Sequence, residues 1–157
     1  MPQITPNLWF DLESKDAAEF YVSVFPNSKI TNVTYYNAAG PRPAGMILTV
    51  EFELDGQPYI AINGGPEFTF SEAISLLVNC ADQAEIDYYW DKLSEGGEEG
   101  PCGWLKDKFG LSWQVAPLGM DEMLNDPDSE RGARAMKAMF GMKKIDLAAL
   151  QAAADGA

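Results

Sequence analysis

The spacing of apolar residues predicts a run of strands with one helix in the first half of the chain. Strands are indicated over 4–11, 28–36, 46–54 and 57–63, and in the third of these every second residue is apolar. Apolar positions at spacings of three and four predict a helix over 14–25, with Ser14 as its N-cap. Asp55-Gly56 is typical of a hairpin turn between the last two strands. The predicted order is β-α-β-β-β.

The second half repeats this order. Ala73 corresponds to Ile4 and Ile86 to Ala17, an offset of 69 residues in both cases. The repeat predicts a strand over 73–80, a helix over 82–95 and strands near 98–101, 103–107 and 111–117, followed by a helical tail. In the tail, one helix starts at Asp128 or Ser129 and another covers residues 145–154. We therefore predict an α+β fold with three parts: a βαβββ module over 1–63, a second over 73–117, and a helical extension over 118–157. Two such modules are expected to close on each other, and the groove between them is the natural place for a ligand.

Composition excludes several classes of function. Apolar residues make up 46% of the chain, enough for a real core, and 24 acidic against 11 basic residues give a net charge of −13. So acidic a surface repels nucleic acid and anionic lipid. No apolar run is long enough for a membrane span, and the first residues do not resemble a signal peptide. We expect a cytoplasmic protein with no nucleic-acid or membrane partner.

The chain contains no histidine, which restricts its chemistry further. Histidine is the usual general base near neutral pH and a common metal ligand, so Ser-His-Asp and Cys-His sites are excluded. The two cysteines, Cys80 and Cys102, form no CxxC pair and are not expected to form a disulfide. Catalytic residues remain unassigned.

Two candidates for ligand contact lie in the first module. Glu51 and Glu53 share the polar face of one strand, either as an acid/base pair or as an ordinary solvated face, and Glu51 is the better candidate because it is mid-strand. Asn63 opens the stretch Asn-Gly-Gly-Pro, whose backbone N–H groups could bind an anion or carbonyl. A plain turn between the modules is the alternative. The stretch is not a dinucleotide-binding motif.

Aromatic residues supply the remaining candidates. Trp104 and Trp113 are predicted on neighbouring strands, where they could flank one pocket or one core layer. Alternation places Gln114 on the face opposite Trp113, so Gln114 faces a cup if Trp113 is in the core. Trp9 could either stack on a ligand or pack in the core. Five methionines in the tail could cover the sheet or form a subunit contact: Met120, Met123, Met136, Met139 and Met142.

Taken together, these segments resemble the vicinal oxygen chelate superfamily, which includes glyoxalase I, bleomycin-resistance proteins and extradiol dioxygenases. Within it the chain resembles the PhnB-like branch, often labelled 3-demethylubiquinone-9 3-methyltransferase-like. The stretches that carry the resemblance are LWFD at 8–11, AEFY at 18–21, LDG at 54–56, NGGP at 63–66, YYW at 88–90, GWLKD at 103–107 and GLSWQ at 110–114. The resemblance implies a glyoxalase-like fold in which the two modules form a cupped mixed sheet.

The superfamily's metal enzymes take their ligands from inward-facing strand positions. The resemblance places those positions at Gln114 and near Ser75 and Ile4, where two of the three residues are poor ligands for a divalent metal. We therefore expect a cup without a metal or other cofactor. The methyltransferase label comes with the resemblance alone, because the chain has no glycine-rich cofactor loop.

These observations favour a homodimeric protein that binds a small aromatic or amphipathic molecule in a metal-free cup. The cup-lining residues are predicted to be Trp9, Glu51, Asn63, Trp104 and Gln114. One alternative is an enzyme, either a glyoxalase-type metal-dependent lyase or isomerase or a methyltransferase as the label has it. Another is an interaction protein whose cup is filled by its own side chains and whose methionine-rich tail is the working surface.

Overall fold

The computed structural model describes residues 1–157, which fold into two compact units. Unit 1 comprises Met1–Phe70 and unit 2 comprises Ser71–Ala157. Each unit contains a four-stranded mixed sheet and the helix that follows its first strand. The α+β class and the repeated βαβββ order are therefore confirmed. None of the helices combines the length and hydropathy that crossing a membrane would require.

Unit 1 contains one helix and four strands, in the strand order β1-β4-β3-β2. β1 runs parallel to β4, and the other neighbours are antiparallel. The strands begin and end close to the predicted positions, except that β1 starts three residues later than expected. The elements are β1 (Asn7–Phe10), α1 (Ser14–Val24), β2 (Lys29–Tyr35), β3 (Ile47–Leu54) and β4 (Gln57–Asn63).

The core of unit 1 lies between α1 and one face of the sheet. The alternation in β3 buries Val50, Phe52 and Leu54, while Glu51 and Glu53 are half-buried on the opposite face. Tyr21 of α1 is fully buried and its ring stacks on that of Phe52, with centroids 6.1 Å apart. The alternation of β3 thus determines which face the helix covers.

The start of α1 differs from the sequence prediction. Ser14 is not the N-cap, because the cap position is Glu13 and the serine is the first helical residue. The Ser14 backbone N–H donates instead to Asn63 Oδ1 at 2.9 Å. A side chain from the end of β4 therefore caps this helix from the sheet, a long-range contact that local sequence rules do not contain.

Unit 2 repeats this plan with the strand order β5-β8-β7-β6 and then adds three helices. β5 runs parallel to β8, just as β1 does to β4. β5 begins three residues later than predicted. The elements are β5 (Leu76–Cys80), α2 (Gln83–Ser94), β6 (Glu98–Glu99), β7 (Trp104–Lys106), β8 (Ser112–Pro117), α3 (Met120–Leu124), α4 (Ser129–Phe140) and α5 (Leu147–Ala154).

The sheet of unit 2 has one buried face and one accessible face. Leu105, Trp113 and Val115 are buried with Ile86 and Trp90 of α2. Trp113 is therefore a core residue, and Gln114 faces the other way, as the alternation predicted.

A buried carboxylate organises the turn between β7 and β8. Asp107 Oδ1 accepts hydrogen bonds from the backbone N–H groups of Phe109 and Leu111, and its Oδ2 accepts one from Trp113 Nε1 at 2.9 Å. Gly110 completes the turn with a φ of +87°, a conformation that favours glycine. The turn and the core tryptophan are thus held by one side chain.

The C-terminal helices pack around a small cluster of their own. Four residues of the tail form a buried apolar cluster, and four of the five tail methionines pack against it. Arg134 of α4 donates to the carbonyl oxygens of Ala153 and Ala154, which closes the C-terminal end of α5. The buried residues are Ala135, Ile145, Leu150 and Ala154.

Candidate functional site

Unit 2 contains a cavity of about 830 Å³. Its floor is the sheet face turned away from α2, and its apolar wall comes from α3 and α4. The volume lies within the range usual for small-molecule sites, about 300–1,000 Å³. The main apolar lining residues are Trp104, Ala116, Met120, Leu124, Met139 and Phe140.

Two of the five predicted site residues meet in this cavity. Trp104 of β7 and Gln114 of β8 are direct partners in the antiparallel register, so their side chains lie on the same face. Gln114 Nε2 donates to Ser75 Oγ at 2.9 Å, which fixes the orientation of the amide. An aromatic ring and an oriented amide thus lie side by side on the cavity floor.

The charged groups of the lining are mostly acidic. Glu98, Glu99 and Asp121 belong to it, and so does the ion pair of Glu72 with Lys106. The hydrogen bond from Lys106 lowers the pKa of the Glu72 carboxyl and, reciprocally, raises the pKa of the lysine. Because the only cation of the lining is already paired, the cavity is unfavourable for an anionic ligand.

Ser112 is a lining residue that the sequence analysis did not identify. It begins β8 two residues before Gln114, is only 1% exposed, and its hydroxyl has no hydrogen-bond partner. A buried polar group without a partner costs free energy, so such groups are uncommon in folded proteins. The only sign of Ser112 in the sequence was its place beside Trp113 on a strand with a buried face, and Trp113 was the more conspicuous residue there.

Trp9 lies in unit 1, where it covers the glycine pair. Its Nε1 donates to the Gly65 carbonyl at 2.9 Å, and its ring meets the edge of Phe68 with centroids 5.1 Å apart. A Cβ added at Gly64 would overlap the indole ring. Gly64 therefore allows the tryptophan to approach the backbone closely, and Gly65 adopts a φ of +119° that favours glycine, so the motif has a structural explanation.

The other two predicted residues also lie in unit 1. Asn63 is buried, with its Oδ1 bonded to the start of α1 and its Nδ2 donating to the Ile47 carbonyl at 3.1 Å. Glu51 is half-buried on the face of the sheet away from α1. Neither residue, nor Trp9, belongs to the cavity lining of unit 2. Ligand contact through these three side chains stays a prediction.

The donor set does not fit the divalent metal that the fold family implies. At the positions expected to supply ligands, Gln114 and Ser75 offer an amide and a hydroxyl that bond each other, and Ile4 has no donor atom. Nowhere do three Cys, Asp or Glu side chains converge in a way that could hold a metal ion. The Gly64–Gly65 loop does not fit a methyl-donor cofactor either, because Trp9 covers its backbone.

The cysteines differ in their surroundings. Cys80 is buried, and burial raises the pKa of its thiol to about 11, with smaller contributions from Glu85 and Asp82. Cys102 is half-buried in the cavity lining, with a φ of +58° at the turn before β7. Both are free thiols, as expected from the sequence.

Comparisons with known proteins agree on one family. A family model described as 3-demethylubiquinone-9 3-methyltransferase matches residues 2–116. A Bacillus cereus protein described as a PhnB protein is 34% identical, with a TM-score of 0.65, covering 74% of this chain and 99% of its own.

More distant structures share the fold. Protein PA1353 from Pseudomonas aeruginosa is 20% identical over 74% of this chain and 98% of its own, with a TM-score of 0.61. The fosfomycin resistance protein FosX from Listeria monocytogenes is 13% identical over 78% of this chain and 97% of its own, with a TM-score of 0.51. No curated protein matches the chain. The family match ends before α3, so the apolar wall of the cavity lies outside it.

Proposed function

This chain belongs to the 3-demethylubiquinone-9 3-methyltransferase family, a PhnB-like group with the vicinal oxygen chelate fold, and we propose that it binds a small aromatic or amphipathic molecule in the cavity of unit 2. The observation that carries the proposal is the cavity itself. It joins an apolar wall from α3 and α4 to a floor that presents Trp104 and Gln114. An amphipathic molecule satisfies both surfaces at once.

The charge of the lining narrows the ligand class. Four carboxylates and one ammonium group surround the cavity, and that ammonium is paired with Glu72. A negatively charged ligand would lose hydration and gain repulsion, whereas a neutral or cationic aromatic molecule would not. The proposed ligand is therefore neutral or positively charged.

A pair of fluorescent probes tests this proposal. N-phenyl-1-naphthylamine and 1-anilinonaphthalene-8-sulfonate share an aromatic skeleton, but the second carries a sulfonate. We expect the neutral probe to bind with one site per chain and a Kd of about 10 µM, a value usual for a ligand of this size. The anionic probe should bind at least tenfold more weakly. Absence of saturable binding by the neutral probe would contradict the proposed function.

Substitutions then locate the bound probe. Trp104→Ala removes an aromatic surface from the floor and should weaken binding of the neutral probe about five- to tenfold. Ala116→Phe places a ring inside the cavity and should abolish binding. Tyr88→Ala is the matched control, because Tyr88 is an exposed aromatic residue of α2 that does not line the cavity. An equal effect of Y88A and W104A would place the probe elsewhere.

The homodimeric state and the cytoplasmic location belong to the same proposal. Light scattering of the purified protein should give twice the mass of one chain, 17.2 kDa. A monomer would contradict the first of these predictions without affecting the cavity.

A further inference from the structure

Two buried serines in this protein have hydroxyl groups without hydrogen-bond partners. Ser14 is the first residue of α1 in unit 1, and Ser112 is the first residue of β8 in unit 2. Both side chains are almost fully shielded from water, with exposures of 0% and 1%. The two differ in one respect: Ser112 lines the cavity, and Ser14 does not.

The polar neighbours of Ser112 on the cavity floor have partners of their own. Across the hairpin its register partner is Lys106, whose ammonium group is engaged by Glu72. Two residues along the strand, the Gln114 amide is engaged by Ser75. The polar side chains on either side are thus each bonded to another residue, and the serine hydroxyl is the buried polar group of this floor that has no partner.

We propose that Ser112 determines specificity by selecting ligands that carry a neutral hydroxyl or carbonyl group on an aromatic or apolar body. A serine hydroxyl both donates and accepts, so either group can complete its hydrogen bonding. A ligand without such a group leaves the buried hydroxyl unpaired, and that deficit is the source of discrimination. Ser112 belongs to the cavity lining, so a ligand that packs against this floor lies next to the residue. The inference rests on the proposed function, because it concerns the same cavity.

The polar group should be neutral because of the surrounding carboxylates. A carboxylate or phosphate on the ligand would meet Glu72, Glu98 and Glu99 of the lining. A hydroxyl or carbonyl meets no such repulsion. The ligand is therefore a phenol-, alcohol- or ketone-like molecule with an extended apolar part against the α3–α4 wall.

The test compares two probes of similar size, 2-naphthol and 2-methylnaphthalene. Their affinities are measured by calorimetric titration for the wild-type protein, Ser112→Ala and Ser14→Ala. The quantity of interest is the ratio of the two dissociation constants, because comparing this ratio between variants cancels the different hydrophobicity of the probes. One hydrogen bond corresponds to a change of about five- to tenfold in this ratio.

We expect S112A to lower the preference for the hydroxyl-bearing probe about five- to tenfold, with S14A equal to wild type. S14A removes the same kind of unpaired hydroxyl away from the cavity and so controls for general effects of the substitution. A thermal melt of each variant verifies folding. If both probes bind and S112A leaves the ratio unchanged, the assignment of Ser112 is wrong while the cavity proposal stands. If neither probe binds to the wild-type protein, the proposed function fails first.

Discussion

Replacing Asp107 tests how the turn and the core of unit 2 are coupled. Its carboxylate accepts from two backbone N–H groups at 2.8 and 3.1 Å and from Trp113 Nε1 at 2.9 Å, at a position that is 2% exposed. A hydrogen bond to a charged group contributes about 1.5–3 kcal/mol, and contributions around one atom are not additive. We expect Asp107→Ala to lower the free energy of unfolding by about 4 kcal/mol.

Asp107→Asn separates the contribution of the two backbone hydrogen bonds from that of the hydrogen bond with Trp113. The amide keeps an oxygen for the two backbone donors but turns an NH₂ group toward the indole N–H, so two donors face each other. We expect a loss of about 2 kcal/mol. In a Trp113→Phe background the conflict disappears, so the same Asp107→Asn change should cost about 1 kcal/mol less. The control is Asp128→Asn, because Asp128 caps α4 and asparagine caps equally well.

The assay is urea unfolding at pH 7, followed by tryptophan fluorescence, with the free energy of unfolding extrapolated to water. D128N should remain within about 0.5 kcal/mol of wild type. If D107N did the same, the carboxylate would not couple the turn to the core, and the reasoning would be refuted.

Three further predictions follow from local contacts. Gly64→Ala forces a Cβ into the indole ring beside it and should destabilise by about 2 kcal/mol in a thermal melt, whereas Gly141→Ala, with a helical φ of −89°, should be close to neutral. An aromatic disulfide reagent should label Cys102 in the native protein and Cys80 only after unfolding, because Cys80 is buried and its thiol pKa is raised; fast labelling of both would contradict the burial. Ion pairs lower the pKa values of three carboxyls below the ordinary values of 4.5 for the glutamate and 3.8 for the two aspartates. The stabilisation that these ion pairs contribute to the fold is therefore complete above about pH 4.5, and it is lost as the pH falls through the lowered pKa values. The melting temperature should accordingly decline below pH 4.5, less steeply in 1 M NaCl, and an unchanged melting temperature down to pH 3 would contradict this. The carboxyls are Glu72, Asp87 and Asp155.

Much of the fold could be predicted because its signals are local. Alternation in β3, the Asp-Gly turn after it, and the helical spacing of α1 and α2 each depend on residues close in sequence. The same local rules failed at Ser14, since its backbone N–H is satisfied by Asn63, 49 residues away. No window of sequence contains that pairing.

The candidate site was only partly predictable for a related reason. Alternation placed Gln114 on the face opposite Trp113, and the structure brings Gln114 to the cavity beside Trp104. The expectation that Trp104 and Trp113 flank one pocket or one core layer was wrong, because the register puts Trp104 opposite Gln114 and leaves Trp113 on the buried face. The wall opposite depends on where the α3 and α4 helices fold back, which the sequence left open between covering the sheet and a subunit contact. The position of Ser112 beside Trp113 was visible in the sequence, but its unpaired hydroxyl was not, because a missing hydrogen bond is a property of packing and leaves no pattern along the chain.

The parallel pairing of β1 with β4 has a consequence for the order in which the protein is assembled. Asn7 finds its partner at Ile60, whereas β3 and β4 are joined by a two-residue turn. The ribosome makes β1 first. Because closing the short hairpin loop costs less conformational entropy than joining β1 to β4, the hairpin forms first and β1 is the last strand of its unit to be fixed. Unit 1 holds all its strands by residue 63, before unit 2 has been synthesised. A nascent chain that ends before residue 63 exposes an incomplete sheet edge. The protein most needs protection from aggregation while the chain is that short.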